Sequence, residues 1–394
     1  MRDLNTAMPA QRKLRIAMIG TRGVPAQYGG FETCVEEVGS RLADRGHEVL
    51  VYSRGVARAD RLDEYLGMKI IHKPALHRRS LETLSHTGFS VADTLGRNVD
   101  AALVFNAANA PWLPLLRAAR IPVATHMDGI EWRRGKWGKT GRRYYKGAEA
   151  MAVRYSDALI ADASGISDYY WNNYGRDAVG IAYGAPKQVG SGQDKLAGLG
   201  LVAEQFHLLV ARFEPENHVE MIVEGYVKSG ARLPLVVVGS APYSARYVQN
   251  VHAAADSRVI FLGGVWDQEM LNQLYANALV YWHGHSVGGT NPSLLRAIGA
   301  GTATNAYNVS FNEEVLRRSG RYFSSSEDVC RLLELAEGDP LDCVDRGKLA
   351  YKESLRYDWD EVARAYEQLC IDLAARKFSG QAKAGRTSRS GRRS

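Results

Sequence analysis

Cysteine is scarce in this chain. Four occur in 394 residues, Cys34, Cys330, Cys343 and Cys370, and no two form a CxxC pair. That pattern argues against a zinc ribbon, a dithiol redox centre or a disulfide framework, and favours structural thiols in a reducing compartment. Long apolar runs are missing as well. No stretch of eighteen apolar residues exists, so no membrane-spanning helix is expected. The opening residues MRDLNTAMPAQRK lack the apolar centre of a signal peptide. These absences lead to the expectation of a cytoplasmic protein. Acidic residues are absent from the end of the chain. KFSGQAKAGRTSRSGRRS (377–394) carries Lys377, Lys383, Arg386, Arg389, Arg392 and Arg393 and no carboxylate, so the formal net charge of +7 leaves a body near +1. With almost nothing apolar to bury, the tail is expected to be disordered. It is a weak basis for nucleic-acid binding, so no nucleic-acid partner is expected. Solvation or contact with an anionic membrane suits it better.

What is present is a repeated alternation of strand and helix patterns. LRIAMIG (14–20) is a buried-strand run, Phe31, Cys34, Val35, Val38 and Leu42 share one helical face, and HEVLVYS (47–53) is the next strand. MKIIHKP, AALVFN, IPVATHMD, SDALIADAS and AVGIAYG continue the series. The Gly-rich, polar stretch 184–204 interrupts it, and QFHLLVARF, LPLVVVGS, SRVIFLGG, NALVYWHG and GTATNAY resume it. Two doubly wound α/β domains in series are predicted. The boundaries are a flexible 1–13, a first Rossmann-like domain over 14–184, a linker over 185–204 and a second over 205–356. A terminal helix over 357–376 and the tail follow.

Three strand-to-helix junctions carry candidate chemistry. GTRGVPAQYGGFET (20–33) has no GK[ST], which rules out a Walker loop, and no clean GxGxxG. It still aims backbone N–H groups and a positive helix end into a crevice, with Gly29 and Gly30 leaving room for an anion; a tight turn without a ligand is the other reading. HGHSVGGTNPSLLRAIGAG (283–301) repeats the arrangement: Gly288 and Gly289 precede Thr290 and Asn291, either of which suits a cap, and Pro292 suits the first turn. His283 and His285 flank it as hydrogen-bonding histidines, since no third metal ligand is evident. In LLVARFEPENHVE (208–220), Arg212 ends a strand and is either a surface ion-pair partner or a bidentate phosphate clamp.

Two further segments stand out. Asp128 lies where a strand ends, a usual place for a catalytic carboxylate in this architecture. Residues 131–146 then hold seven Lys or Arg against one Glu, interleaved with Trp132, Trp137, Tyr144 and Tyr145. This reads as a solvated helix face, or as a surface for a lipid diphosphate or anionic headgroups. Asp358 and Asp360 match a D-x-D pattern, but they open a helix pattern with Glu361 in capping position, so the cap is preferred to a metal site.

Taken together, IGTRGVPAQYGGFET, DGIEWRRGKWGK, ADASGISDYY, ARFEPEN and HGHSVGGTNPSLL resemble the retaining GT-B glycosyltransferases of family 4, and more narrowly bacterial polysaccharide rhamnosyltransferases, over roughly residues 14 to 375. The resemblance implies two Rossmann-like domains facing a cleft, with the terminal helix crossing back to the first. It implies transfer of a sugar, rhamnose as the best guess, from a nucleoside-diphosphate donor (dTDP or UDP) without metal. The acceptor would be a hydroxyl of a surface-polysaccharide precursor, lipid-linked, handled at the inner face of the membrane. Arg212 would hold the diphosphate, with Glu216, Asn217 and His285 beside it. Gly288, Gly289, Thr290 and Asn291 would cradle phosphate and sugar, and Gly263 to Val265 would border the base. Arg22, Gly23, Tyr28, Gly29 and Gly30 would form the opposite wall. Asp128, with His126 as competitor, would face the acceptor hydroxyl. The sequence also departs from the broad family. Asn217 stands where a lysine is usual, Gly288 where a glutamate is usual, and Arg296 where a second glutamate bonds the ribose. A guanidinium has no acceptor to offer a ribose hydroxyl, so Arg296 would bind phosphate, or another donor, or signal another activity (epimerase or hydrolase) or none.

Overall fold

A computed structural model describes residues 12–26, 29–55, 61–76, 82–127, 129–135, 137–187, 190, 192–239 and 245–378. The first sheet comprises β1 (Arg15–Ile19), β2 (Glu48–Arg54), β3 (Glu64–Tyr65), β4 (Met68–Lys73), β5 (Ala101–Phe105), β6 (Val123–Met127), β7 (Ala158–Ala161) and β8 (Val179–Gly180), in the order 3-4-2-1-5-6-7-8. Every neighbouring pair is parallel except β3 with β4. The second sheet is parallel throughout, with β9 (His207–Val210), β10 (Leu235–Val238), β11 (Val259–Gly263), β12 (Val280–His283), β13 (Thr304–Tyr307) and β14 (Gly320–Phe323) in the order 11-10-9-12-13-14.

The central strands are apolar on both faces because helices cover both. In β1, Ile16 and Met18 join one core layer while Ala17 and Ile19 join the other, the period-two split of a pleated strand. In β10, Val236 and Val238 face one layer and Leu235 and Val237 the other. One apolar cluster is continuous through both halves. It runs from Val35 and Val38 of the helix Gly30–Asp44, through Tyr183, Trp359 and Tyr366, to Leu208 and Leu294.

The helix Trp359–Ala374 is the strap that makes this continuity. Its face of Trp359, Val362, Ala363, Tyr366, Leu369, Cys370 and Leu373 is buried. Polar contacts with the first half flank that face: Arg41 Nε lies 2.7 Å from Asp360 Oδ1, and Arg45 Nη1 and His47 Nε2 each lie 2.9 Å from a Glu367 oxygen. Asp358 caps the helix, accepting from the Asp360 and Glu361 amides, so its carboxylate does the work the capping pattern indicated. Between the sheets, 184–204 holds a short helix, Asp194–Ala197, whose Leu196 is buried.

The strand orders fix where ligands can bind. In the first sheet the winding reverses between β1 and β5, and in the second between β9 and β12. A crevice opens beyond the carboxyl ends of such strand pairs, because the following loops depart to opposite faces. The glycine-rich loop at 20–30 follows β1. Arg212 follows β9, and the 284–291 loop follows β12. All three junctions singled out in the sequence therefore lie at the reversal points.

Candidate active site

On the side of the second sheet the crevice is bordered by a fixed turn. After β9 the chain makes a 3-10 turn, Pro215–Asn217, and the αL residue His218 leads into the helix Val219–Lys228. The turn is pinned to the β12 loop: Ser286 N and Oγ donate to Glu216 O at 2.9 and 3.0 Å, and His218 Nδ1 lies 2.9 Å from Gly284 O. Asn217 Nδ2 donates to Arg212 O at 2.8 Å. Arg212 itself is two-fifths exposed and has a loose ion pair with Glu214 at 3.7 Å, which leaves its guanidinium able to turn towards an anion. Glu216 is 7% exposed, and neither of its carboxylate oxygens has a hydrogen-bond partner among the described residues.

His283 and His285 are buried and stacked, with ring centroids 4.4 Å apart. Burial pushes His283 down to about 3. His285 is held well below the ordinary imidazole range, first by burial and then by the nearby positive or like groups His283, Arg212, Arg134 and His218. Both rings are therefore neutral hydrogen-bonding groups at ordinary pH. Next comes the helix Pro292–Gly299. Asn291 Oδ1 accepts from Ser293 N at 2.9 Å and Pro292 takes the first position, so the cap falls to Asn291 rather than Thr290. Thr290 reaches across instead, donating from Oγ1 to Asp162 O at 2.5 Å.

The two walls touch. A Cβ placed on Gly30 would lie 2.9 Å from Pro292 Cγ, and one on Gly129 would lie 2.7 Å from Gly288 Cα. One on Gly289 would collide with the Asp162 carboxylate. The missing side chains at Gly30 and Gly289 thus admit the opposite half of the molecule, in a closed arrangement. Gly23 admits another part of its own half: its φ is +101° and a Cβ would collide with Ser53. Gly29, at φ +105°, sits at the start of the helix Gly30–Asp44, beside Glu32. The Arg22 amide donates to Glu32 Oε1 at 3.0 Å. Tyr28 and Asp128 lie outside the described residues.

His126, next to last in β6, lies inside an aromatic cage, with Phe31 at 5.2 Å, Tyr183 at 5.6 Å and Phe105 at 5.8 Å between ring centroids. Burial pushes it down to about 3, and its Nδ1 has no hydrogen-bond partner among the described residues. Gly263 ends β11, and Val265 lies in the loop that leads to the helix Gln268–Asn277. Arg296 is joined to the start of that helix: its Nη2 donates to Gln268 Oε1 at 2.8 Å, and its guanidinium lies 6.0 Å from the Tyr275 ring centroid. Burial lowers its pKa.

Three further residues at the junction were not singled out as site residues. Asp162 directly follows the buried strand β7, the same signal that marked Asp128 after β6, and could have been found that way. Arg134 sits in the basic segment 131–146, whose composition suggested a solvated surface, and Gly129 lies just before it. Much of that segment is exposed, including Arg133, Lys139, Arg142, Arg143, Tyr144 and Lys146, but Arg134 is buried and paired to Glu131.

A family model described as a domain of unknown function, DUF1972, matches residues 122–186. Comparison with curated protein sequences gave no significant match. Solved structures match along almost the whole chain. Sucrose-phosphate synthase from Thermosynechococcus elongatus is similar at 19% identity with a TM-score of 0.78, covering 92% of this chain and all of that one. Anabaena HepE in complex with UDP-glucose is similar at 17% identity and a TM-score of 0.75, covering 91% of this chain and all of that one. WaaG, a glycosyltransferase involved in lipopolysaccharide biosynthesis, is similar at 16% identity and 0.70, covering 91% and 99%. The fold is GT-B. In this GT-B chain the two reversal points face each other, and the groups gathered there include two helix N-termini, guanidinium groups, neutral imidazoles and the carboxylates of Glu216 and Asp162.

Proposed function

We propose that this chain is a glycosyltransferase that moves a sugar from a nucleoside diphosphate to an acceptor hydroxyl. The observation that carries the reading is the contact of the Gly30 helix start with Pro292 of the Asn291-capped helix, with Arg212 following β9 at the same reversal point of the second sheet. As the glycosidic bond breaks, the leaving diphosphate gains negative charge. Helix N-termini, with the Arg212 guanidinium turned to the same position, would stabilise it, an effect worth several kcal/mol in a water-poor site. The proposed route draws its charge stabilisation from these groups rather than from a metal. Neutral His283 and His285 suit hydrogen bonds to the donor. His126 of β6, and Asp128 two residues on in sequence, are proposed to face the acceptor. Retention is taken from the motif resemblance; with no nucleophile assigned in this scheme, the proposed route is front-face attack, the departing phosphate taking the hydroxyl proton.

The finer reading is a rhamnosyl donor carried on dTDP or UDP, and a lipid-linked surface-polysaccharide precursor as acceptor, held at the inner membrane face by the basic and aromatic segment 131–146. It is supported by the motif resemblance and by the exposure of much of that segment. A second reading, donor binding with another activity or none, is favoured by Arg296, which cannot accept ribose hydroxyls and is engaged with Gln268. A melting-temperature screen against UDP-, dTDP- and GDP-sugars tests the first step, since a ligand of the folded form raises Tm. Assay of product and anomeric configuration with an acceptor panel then separates transfer from hydrolysis. No shift with any donor overturns the proposal; binding with no turnover on the full panel selects the second reading.

A further inference from the structure

One arginine of the basic segment faces inward. Arg134 is 7% exposed, and its Nε lies 2.5 Å from Glu131 Oε2. The next residue, Gly135, is so close to the second half that a Cβ placed on it would lie 3.5 Å from Glu216 Oε2. Glu216 belongs to the turn that follows Arg212 and is pinned to the β12 loop through Ser286. Gly129 and Gly288 meet just beside this point. The first half therefore delivers a buried guanidinium to the same corner that holds Arg212, His283 and His285. The electrostatic influence of both Arg134 and Arg212 on His285 agrees with that placement.

The second half alone is short of positive charge there. Arg212 is the cation that follows β9, and it is already loosely attached to Glu214. Asn217, five residues on, is neutral and turned back on the Arg212 carbonyl. Glu214 and Glu216 add negative charge to the corner. A nucleoside diphosphate brings at least two more negative charges, and a guanidinium fork matches phosphate oxygens in geometry as well as sign. Glu131 pairs with Arg134 through Nε, which holds the guanidinium at this corner.

Building on the nucleotide-sugar reading above, we infer that Arg134 is a donor-binding residue that brings a second guanidinium to the diphosphate from the opposite half of the molecule. Its contribution exists only in the closed arrangement, because Arg134 and Arg212 sit on different halves. The diphosphate thus ties the halves together, whereas a nucleoside, lacking phosphate, engages the second half alone.

Isothermal titration of the full chain with UDP, dTDP and GDP, and with the matching nucleosides, tests this on the wild type, Arg134→Ala, Arg134→Lys and Glu131→Gln. For whichever diphosphate the wild type binds, Arg134→Ala should weaken affinity on the order of tenfold to a hundredfold, the range for hydrogen bonds to charged groups. Nucleoside affinity should stay put. Arg134→Lys should recover part of the loss, and Glu131→Gln should retain most of the diphosphate affinity. Wild-type diphosphate affinity in Arg134→Ala overturns the inference. So do equal losses for diphosphate and nucleoside, or equal losses in Glu131→Gln, which would mark a purely structural ion pair. If the wild type binds none of the diphosphates, the nucleotide-sugar reading itself falls and takes this inference with it.

Discussion

His126, His283 and His86 share one condition. All three are buried, and burial holds His126 and His283 down to about 3 and His86 down to about 4, against an ordinary value of 6.5. The unfolded chain therefore binds more protons than the folded one between pH 6.5 and those values. Stability must fall as the pH drops below about 6.5, and the fall continues until the folded-state values are reached. Each such histidine contributes up to about 1.4 kcal/mol per pH unit. Urea unfolding at pH 7, 6 and 5 should show the decline, and His126→Phe should make it shallower by roughly that amount, whatever its effect at pH 7. An unchanged slope in the variant would mean that His126 does not stay neutral in the fold. Arg212 is the second test at this scale. Its side chain is two-fifths exposed and its ion pair is loose, so Arg212→Ala should leave Tm within about 1 °C, the scale of a surface pair. Turnover should drop by two orders of magnitude or more, in line with removal of one charge-stabilising donor.

Elements were far more legible than residues. The strand and helix periods, and the glycines between them, give both sheets and the junctions at their reversal points. β3 and β14 escaped because a two-residue strand and GRYF carry too little pattern to stand out. The cap at Asn291 was half legible: the residues at 290 and 291 both qualify in sequence, and only the contact of Thr290 with Asp162 decides between them. That cap offers a clean separation of stability from binding. Asn291→Ala removes the acceptor for Ser293 N and should cost about 1 kcal/mol in urea unfolding. Asn291→Asp keeps the cap and should unfold like wild type. It nonetheless sets a carboxylate at the helix end that is proposed to receive phosphate, and donor affinity should fall on the order of tenfold or more. Equal donor affinity in wild type and Asn291→Asp would move the phosphate away from this helix. The inward turn of Arg134 could not be read from composition. A lone arginine among six other cations looks solvated until the fold places Gly135 against Glu216.

At the scale of the whole molecule, the glycines act as spacers between halves. Gly289 meets Asp162 across the cleft and Gly30 meets Pro292, so each position tolerates no Cβ while the halves are shut. Each half has its own sheet, and the strap Trp359–Ala374 is tied to the first half through Arg41–Asp360 and Arg45–Glu367. Gly289→Ala should therefore leave both cores intact and hold the cleft ajar. Small-angle scattering should report a larger radius of gyration than wild type, with Tm lowered by no more than a few degrees. If the diphosphate is gripped by Arg212 from one side and Arg134 from the other, then opening the cleft and deleting Arg134 remove the same contact. Gly289→Ala and Arg134→Ala should each weaken diphosphate binding on the order of tenfold or more, and the double variant should lose little beyond either single one. Additive losses would instead mean that the two positions act on the ligand independently. Closure would then bring the acceptor, not the guanidinium, to the donor, and turnover rather than affinity would carry the penalty of the open form.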